Sequence, residues 1–332
     1  MLEMESFCEK LPKIELHAHL NGSLSRNTLR QLGCTDDAIL EYQSEQTTIE
    51  EVFKLFKVAH KATSTKKNLY LSTKTVIKEF AEDNVIYLEL RTTPRKELDM
   101  TEEEYIQTVI NAIIDKESPN IIVKLLLSLD RRRNHQEQSE TLDAIIKFKN
   151  MYPDIVRGVD LSGDPAQGTF YRDLFEKARR NGLFCAIHCA EIKNNTEVID
   201  ILNFKPERLG HGTFLHPNYT SNAEIWNLYT KLQIPVECCL SSNVICLTSK
   251  SHREHHVQEW MKNDLPYCLA TDDKGVFNTT LSKEFLHLQE SFNLNKKDLW
   301  KISDNAINYS FALSEEKEML HEKLKLWKIQ NM

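Results

Sequence analysis

Eight short apolar runs recur along this chain, and each ends in polar residues able to do chemistry. They are KIELHAHLNG (Lys13 to Gly22), VIYLELRTTPR (Val85 to Arg95), IIVKLLLSLDRR (Ile121 to Arg132) and VRGVDLSGDP (Val156 to Pro165), then LFCAIHCAE (Leu183 to Glu191), RLGHG (Arg208 to Gly212), IPVECCLSSN (Ile234 to Asn243) and PYCLATDDKG (Pro266 to Gly275). Each is of strand length, rich in Val, Ile, Leu or Cys, and closed by turn residues. Stretches with helical spacing lie between them. TEEEYIQTVINAIIDKE from Thr101 has an N-cap Thr and acids in its first turn, and FYRDLFEKARRNG from Phe170 stops at Gly182. Near-continuous apolar strands alternating with helices predict a parallel sheet covered on both faces. Eight such units predict a closed (β/α)8 TIM barrel, with an open doubly wound sheet as the rival. The segment from Gly33 to Lys67 holds no such run. It reads as extra helices over the C-terminal mouth of the barrel, VFKLFKVAHKA from Val52 being an amphipathic piece.

No low-complexity stretch or Pro/Gly-rich linker interrupts the 332 residues, so a single domain over 1–332 is expected. The 42 Lys and Arg against 49 Asp and Glu leave a net charge of −7, which argues against general nucleic-acid binding. Charged residues at 27%, apolar residues at 41% and a mean hydropathy of −0.46 exclude long disorder, collagen and coiled coil. The longest apolar stretches, such as IIVKLLLSL, fall short of the roughly 20 residues a membrane helix needs. MLEMESFCEKLPK at the start carries acids and no apolar core, unlike a secretory leader. The eight cysteines, at 8, 34, 185, 189, 238, 239, 246 and 268, form no CxxC pair. Free thiols in a reducing compartment follow, and a cytosolic, monomeric protein without nucleic-acid or membrane partners is expected.

Active sites on α/β barrels gather where strands end and loops begin. His17 and His19, two apart on the first run, point to one face, and in a barrel that face is the interior. His188 ends the fifth run, His211 the sixth, and Asp272 with Asp273 the eighth. Imidazoles and carboxylates converging from several strands suit zinc or another borderline divalent ion. The bland reading is a set of hydrogen-bonded barrel polars with Asp272 as a turn residue. Several buried ionisable groups in one place are costly without a cation, which weighs against it. Glu191, three residues after His188, suits a general acid or base, or a helix N-terminal acid favoured by the dipole. Such a set supports metal-assisted hydrolysis.

HAHLNG, LSGDP, HCAE, GHG and TDDKG, in this order, resemble the adenosine deaminase family of metal-dependent hydrolases, over nearly the whole chain from Leu11 to about Phe311. HLNG, LELRTTPR, LDRR and TDDKGVF look closest to its nucleotide-acting branch. The resemblance implies one zinc ion held by His17, His19, His188 and Asp272. It implies that Glu191 gives a proton to the purine ring, that His211 takes a proton from water, and that Asp273 orients the hydroxide while Gly163 admits the purine edge. The implied reaction turns N6-methyl-AMP, or a related N6-substituted purine monophosphate, into IMP and methylamine. The alternatives are an adenosine deaminase acting on the free nucleoside and an inactive purine-binding barrel. The H-x-E and P-C-x-x-C signature of base-flipping zinc deaminases is absent, and Cys238–Cys239 reads as barrel packing.

A monophosphate calls for a charge-assisted partner, and Arg95 is the leading candidate. The resemblance assigns substrate contacts to His19, Asn21, His60, Thr92, Thr93, Pro94, Arg95, Asp130, Gly163 and Asp273. One of Arg131, Arg132 and Arg133 is expected to be useful and the others solvated. HREHH, with His252, His255 and His256, reads as a loop or helix start near the mouth. His135, His216, His287 and His321 read as surface or packing residues, and the stretch after Lys296 as closing helices with solvated faces.

Overall fold

A computed structural model of the protein describes residues 2–42, 48–97, 99–117, 119, 121–220 and 222–332. The eight runs form eight strands: β1 (Lys13–His19), β2 (Val85–Thr92), β3 (Ile122–Asp130), β4 (Val156–Ser162), β5 (Phe184–Cys189), β6 (Arg208–His211), β7 (Val236–Cys238) and β8 (Tyr267–Leu269). They pair in parallel, in chain order. The ring closes just beyond β8. Ala18 bridges Asp272 in parallel, the His19 amide donates to the Asp272 carbonyl at 3.0 Å, and the Asp272 amide donates to the His17 carbonyl at 2.8 Å. This is the expected (β/α)8 barrel, and its last seam is sewn through predicted metal ligands.

The intervening helices pack outside, against the strands that precede and follow them. The helix Glu102–Ile113 starts at the expected N-cap, Thr101, with a full capping box to Glu104. Covered on both faces, β2 buries all eight of its residues, as a parallel strand must. All eight cysteines are free thiols, and burial pushes that of Cys8 up to about 12. Among the described residues no helix is long and apolar enough to cross a membrane.

The inside of the barrel is charged. Glu15, Glu89, Arg91, Asp160, Arg208 and Glu237 are all fully buried, and removing either partner of such a pair strands a charge. Glu237 receives Arg91 Nη2 at 2.5 Å and Arg208 Nε at 2.6 Å, while Arg208 also reaches Glu89. The floor is closed by Tyr309 to Phe311, between the helices Lys296–Tyr309 and Ser314–Asn331. There Arg208 Nη1 donates to the Tyr309 carbonyl at 2.8 Å, and the Phe311 amide donates to Glu89 at 2.6 Å.

The span where extra helices were expected holds Asp36–Tyr42 and Ile49–Ala62, of which the second borders the barrel mouth; Arg26–Gln31 precedes that span. Residues 43–47 of that expected region lie outside the described residues. The helix Ile49–Ala62, here the mouth helix, is capped by Thr48. It turns Ile49, Val52, Phe53, Phe56 and His60 to one side, the i, i+3, i+4, i+7 spacing of an amphipathic face.

Candidate active site

Strand alternation sends His17 and His19 inward together, and β5 delivers His188 beside them. Their Nε2 atoms form a tight triangle: 3.1 Å from His17 to His188, 3.3 Å from His17 to His19, and 3.2 Å from His19 to His188. Asp272 Oδ1 lies 3.4 Å from Nε2 of both His17 and His19. The far sides of two rings are fixed. His17 Nδ1 meets Glu237 Oε2 at 2.7 Å, and His188 Nδ1 meets Asp160 Oδ1 at 2.8 Å. Those carboxylates hold N–H at Nδ1, so the Nε2 lone pairs face one another.

That arrangement fits a cation. Tetrahedral coordination with metal–nitrogen bonds of about 2.0–2.1 Å sets donor atoms about 3.3 Å apart. Three imidazoles and a carboxylate, backed by hydrogen-bonded carboxylates, are a donor set for a borderline divalent ion. Left to protons alone, the cluster is uneven. Burial works against charge on His17, but hydrogen bonds to Asp272 and Glu237 raise it to about 9, while burial pushes His19 down to about 3.

His19, His188 and Asp272 of this cluster form one side of a cavity of about 390 Å3 at the barrel mouth. Glu191 and His211 stand beside them, with His211 Nε2 at 3.7 Å from Glu191 Oε1 and 3.8 Å from Asp272 Oδ2. Burial holds the His211 ring neutral against the pull of Glu191 and Asp272. Glu191 is not a helix N-terminal acid: it lies in the loop before the helix Asn195–Phe204, where Asn194 is the cap and Glu197 the first-turn acid. Asp273 is pushed well above the usual carboxylate range by burial and by its neighbours Asp272 and Glu191, and its Oδ1 has no hydrogen-bond partner among the described residues. Gly22 makes room for it, since a Cβ there would fall 1.5 Å from that oxygen. His211 and Asp272 adopt φ of 61° and 58°, left-handed conformations that cost roughly 1 kcal/mol or more in residues other than glycine.

The rest of the lining carries the basic residues of the cavity, each of Arg95, Arg132 and Arg133 beside an acid. His60, Arg95, Asp130, Arg132, Arg133 and Lys57 border it, with Asn21, Thr92, Thr93 and Gly163 between. Gly163 sits at φ 102°, and a Cβ there would meet Asp130 Oδ1 at 2.6 Å. Burial, then the charges of Arg95 and Arg132, push His60 down to about 4. Arg95 is heavily engaged: Nε reaches Glu97 at 2.7 Å, Nη1 reaches Tyr105 Oη at 3.2 Å, and Nη2 reaches Thr63 Oγ1 at 2.7 Å. Its Nη2 also donates to the carbonyls of His60 and Thr63, at 3.4 and 3.3 Å, capping the mouth helix.

Of the sequence-assigned residues, all but His17 and Pro94 border this one cavity. His17 lies just beneath, within the cluster. Pro94 does not line it; its carbonyl accepts from Arg133 Nη2 at 3.2 Å. Of the three arginines, Arg132 is exposed, while Arg131 and Arg133 depart from expectation. Arg131 is buried, not solvated, because it turns back to Glu197 and to the Gln167 carbonyl at 3.0 Å. Arg133 is held by Glu102 at 2.8 Å, and Arg132 is clamped by Asp130 through Nε and Nη2 at 2.9 and 2.6 Å.

Sequence reasoning missed the layer that holds the site. Glu15 accepts the His17 amide at 2.8 Å and the Thr271 hydroxyl at 2.9 Å, and Ser242 donates to Asp272 Oδ2 at 2.8 Å. His256, in the HREHH stretch, is buried with Nε2 at 2.8 Å from the His211 carbonyl, and His255 bonds Asn243 at 2.9 Å. A signal was present. Glu15, Glu89, Asp160 and Glu237 are acids inside apolar strand runs, tolerable only in a shielded interior with partners.

Comparisons with known proteins agree with this fold. The family model for adenosine deaminase matches residues 12–327. An adenosine deaminase-like protein of Drosophila melanogaster is 39% identical over 334 residues, covering 97% of each chain. The human N6-methyl-AMP deaminase is 38% identical over 332 residues, covering 96% of this chain and 93% of that one. Among solved structures, the Arabidopsis N6-mAMP deaminase MAPDA superposes with a TM-score of 0.88 at 34% identity, covering 96% of this chain and 99% of that one. Arabidopsis ADAL complexed with IMP does so with a TM-score of 0.89 at 33% identity, over 100% of both chains. Matched from end to end in sequence and fold, with the motif residues around one cavity, this chain belongs to the adenosine deaminase family.

Proposed function

We propose that the protein is a zinc-dependent hydrolase that converts N6-methyl-AMP, and related N6-substituted purine nucleoside monophosphates, into IMP and the corresponding amine. One observation carries the reading: a four-donor metal cluster with Glu191, His211 and Asp273 at one side of a cavity whose other side is lined by arginines. The relatives named N6-methyl-AMP deaminase and the neighbours solved with IMP or GMP support the choice of a nucleotide.

A zinc ion held by His17, His19, His188 and Asp272 would lower the pKa of a water towards about 7. The chain's own residues do the rest. His211, neutral and buried, presents Nε2 beside Asp272 and accepts the proton of the attacking water. Asp273, its Oδ1 unpartnered among the described residues and aimed past Gly22, orients that water towards the purine carbon bearing the substituted amine. Glu191 donates a proton to the adjacent ring nitrogen, so charge does not build up there as the carbon becomes tetrahedral. The C–N bond then breaks, methylamine leaving with the proton that His211 took up, while the carbonyl forms and the remaining hydroxyl proton restores the one Glu191 gave. Gly163, lacking a side chain, lets the purine edge approach the backbone, and the aromatic face of the mouth helix keeps bulk water off the ring. The side lined by arginines receives the phosphate.

The test is turnover of the zinc-loaded protein on N6-methyl-AMP, AMP, N6-methyladenosine and adenosine, with products separated by chromatography. IMP from the methylated nucleotide, faster than from any other substrate in the panel, is the expected outcome. Inosine from adenosine with little action on nucleotides overturns the substrate and keeps the chemistry. No turnover and no bound metal after zinc addition overturns both.

A further inference from the structure

Each arginine around the cavity has an acid beside it. Arg91, at its floor, pairs with Glu237 at 2.5 Å; Arg95 pairs with Glu97 at 2.7 Å, Arg132 with Asp130 at 2.6 Å, and Arg133 with Glu102 at 2.8 Å. Each pair is close to neutral as a unit. The reactive side adds Glu191, Asp272 and Asp273. A phosphate monoester brings about −1.5 to −2 charges at neutral pH, and arginines already bound to carboxylates compensate it poorly.

Lys57 is different. It borders the same cavity from the mouth helix and is exposed, and among the described residues no carboxylate pairs with it. Its helix neighbour Lys54 is occupied with Glu50. The placement suits a phosphate. Lys57 stands one turn before His60, whose carbonyl receives Arg95, and His60 in turn feels the charges of Arg95 and Arg132. That groups Lys57 with His60, Arg95 and Arg132 in the lining of the cavity.

We propose that Lys57 reads the phosphate of the substrate, supplying from the mouth helix a positive charge that the paired arginines lack. The arginines and threonines then orient the phosphate through directed hydrogen bonds, and Lys57 sets the preference for a charged over an uncharged substrate. This rests on the nucleotide reading above.

The test compares kcat/KM on N6-methyl-AMP and on N6-methyladenosine for the zinc-loaded full-length protein and its Lys57→Gln and Lys57→Glu variants. The exposed position makes misfolding an unimportant route to loss. The monophosphate-to-nucleoside ratio is expected to fall about tenfold with Lys57→Gln and further with Lys57→Glu, through KM for the nucleotide. Added salt narrows the gap between wild type and Lys57→Gln, because an exposed charge is screened. Lys61→Gln, on the same helix but away from the cavity, holds the wild-type ratio. A wild type that prefers the monophosphate while both Lys57 variants keep its ratio within about twofold overturns Lys57 alone. A wild type that prefers the nucleoside overturns the nucleotide reading and Lys57 with it.

Discussion

The two sides of the cavity are built by opposite means. On the reactive side, His17, His188, His211 and Asp272 are buried at strand ends, and each is held from behind by another buried group: Glu237, Asp160, His256 and Ser242. On the recognising side, the contributors sit on loops after β2 and β3 and on the mouth helix, and their ion pairs are partly open to water. A reacting centre needs sub-ångström placement, which rigid strands and a packed second layer provide. A phosphate site needs donors and charge, and it tolerates adjustment. The difference teaches where substitutions should hurt stability and where they should only shift substrate preference.

The sharpest test sets Glu237→Gln against Glu97→Gln. Glu237 is fully buried and serves His17, Arg91 and Arg208 together. Removing its charge leaves Arg91 with Asp160 and Arg208 with Glu89 as their remaining buried carboxylates, so denaturant unfolding should show a loss of about 3 kcal/mol. Metal affinity should drop roughly 10–100-fold, because the anionic acceptor behind His17 becomes a neutral amide that can also turn its NH2 towards the ring. Glu97 pairs with Arg95 near the rim, and its loss should cost no more than about 1 kcal/mol. Similar stability losses at both positions would erase the distinction between the two sides.

Next in size is Gly22→Ala. The added methyl must displace the Asp273 carboxylate, with a Cβ falling 1.5 Å from its Oδ1. A displacement on the order of 1 Å at a reacting centre costs about 100-fold in rate. The expected result is that loss in kcat with metal content retained. A folded variant with kcat within about threefold of wild type would show that Asp273 does its work from more than one position.

The asymmetry also explains what could be read in the sequence. His17, His19, His188, His211 and the Asp272–Asp273 pair stand at the ends of recognisable runs, so strand alternation and the barrel rule brought them together on paper. The supporting acids were visible as anomalies, since Glu15 and Glu237 interrupt apolar strands, but nothing local tells which histidine each one serves. Glu237 reaches His17 across 220 residues of chain. The recognising side was less legible. Three successive arginines after β3 look alike in sequence, yet Arg131 turns inward to Glu197 while Arg132 folds onto Asp130. Pro94 entered through resemblance and lies off the cavity. Phe53, Phe56 and Lys57 read only as an amphipathic helix, because periodicity gives a face and not what the face covers.

That helix supplies the gentlest test. Phe53 and Phe56 have ring centroids 5.6 Å apart and border the cavity opposite the barrel floor. An aromatic contact contributes about 0.5–1.5 kcal/mol beyond area burial, which corresponds to roughly a two- to tenfold change in affinity. Phe53→Ala should therefore raise KM for N6-methyl-AMP and N6-methyladenosine alike by about that factor, since a ring covers the base and is indifferent to the phosphate. This sets it apart from the Lys57 variants, which should move the ratio between the two substrates. A Phe53→Ala effect confined to the nucleotide would mean that the helix acts on the phosphate through its position as a whole. The two walls would then be distinguished by rigidity but not by which part of the substrate each one recognises.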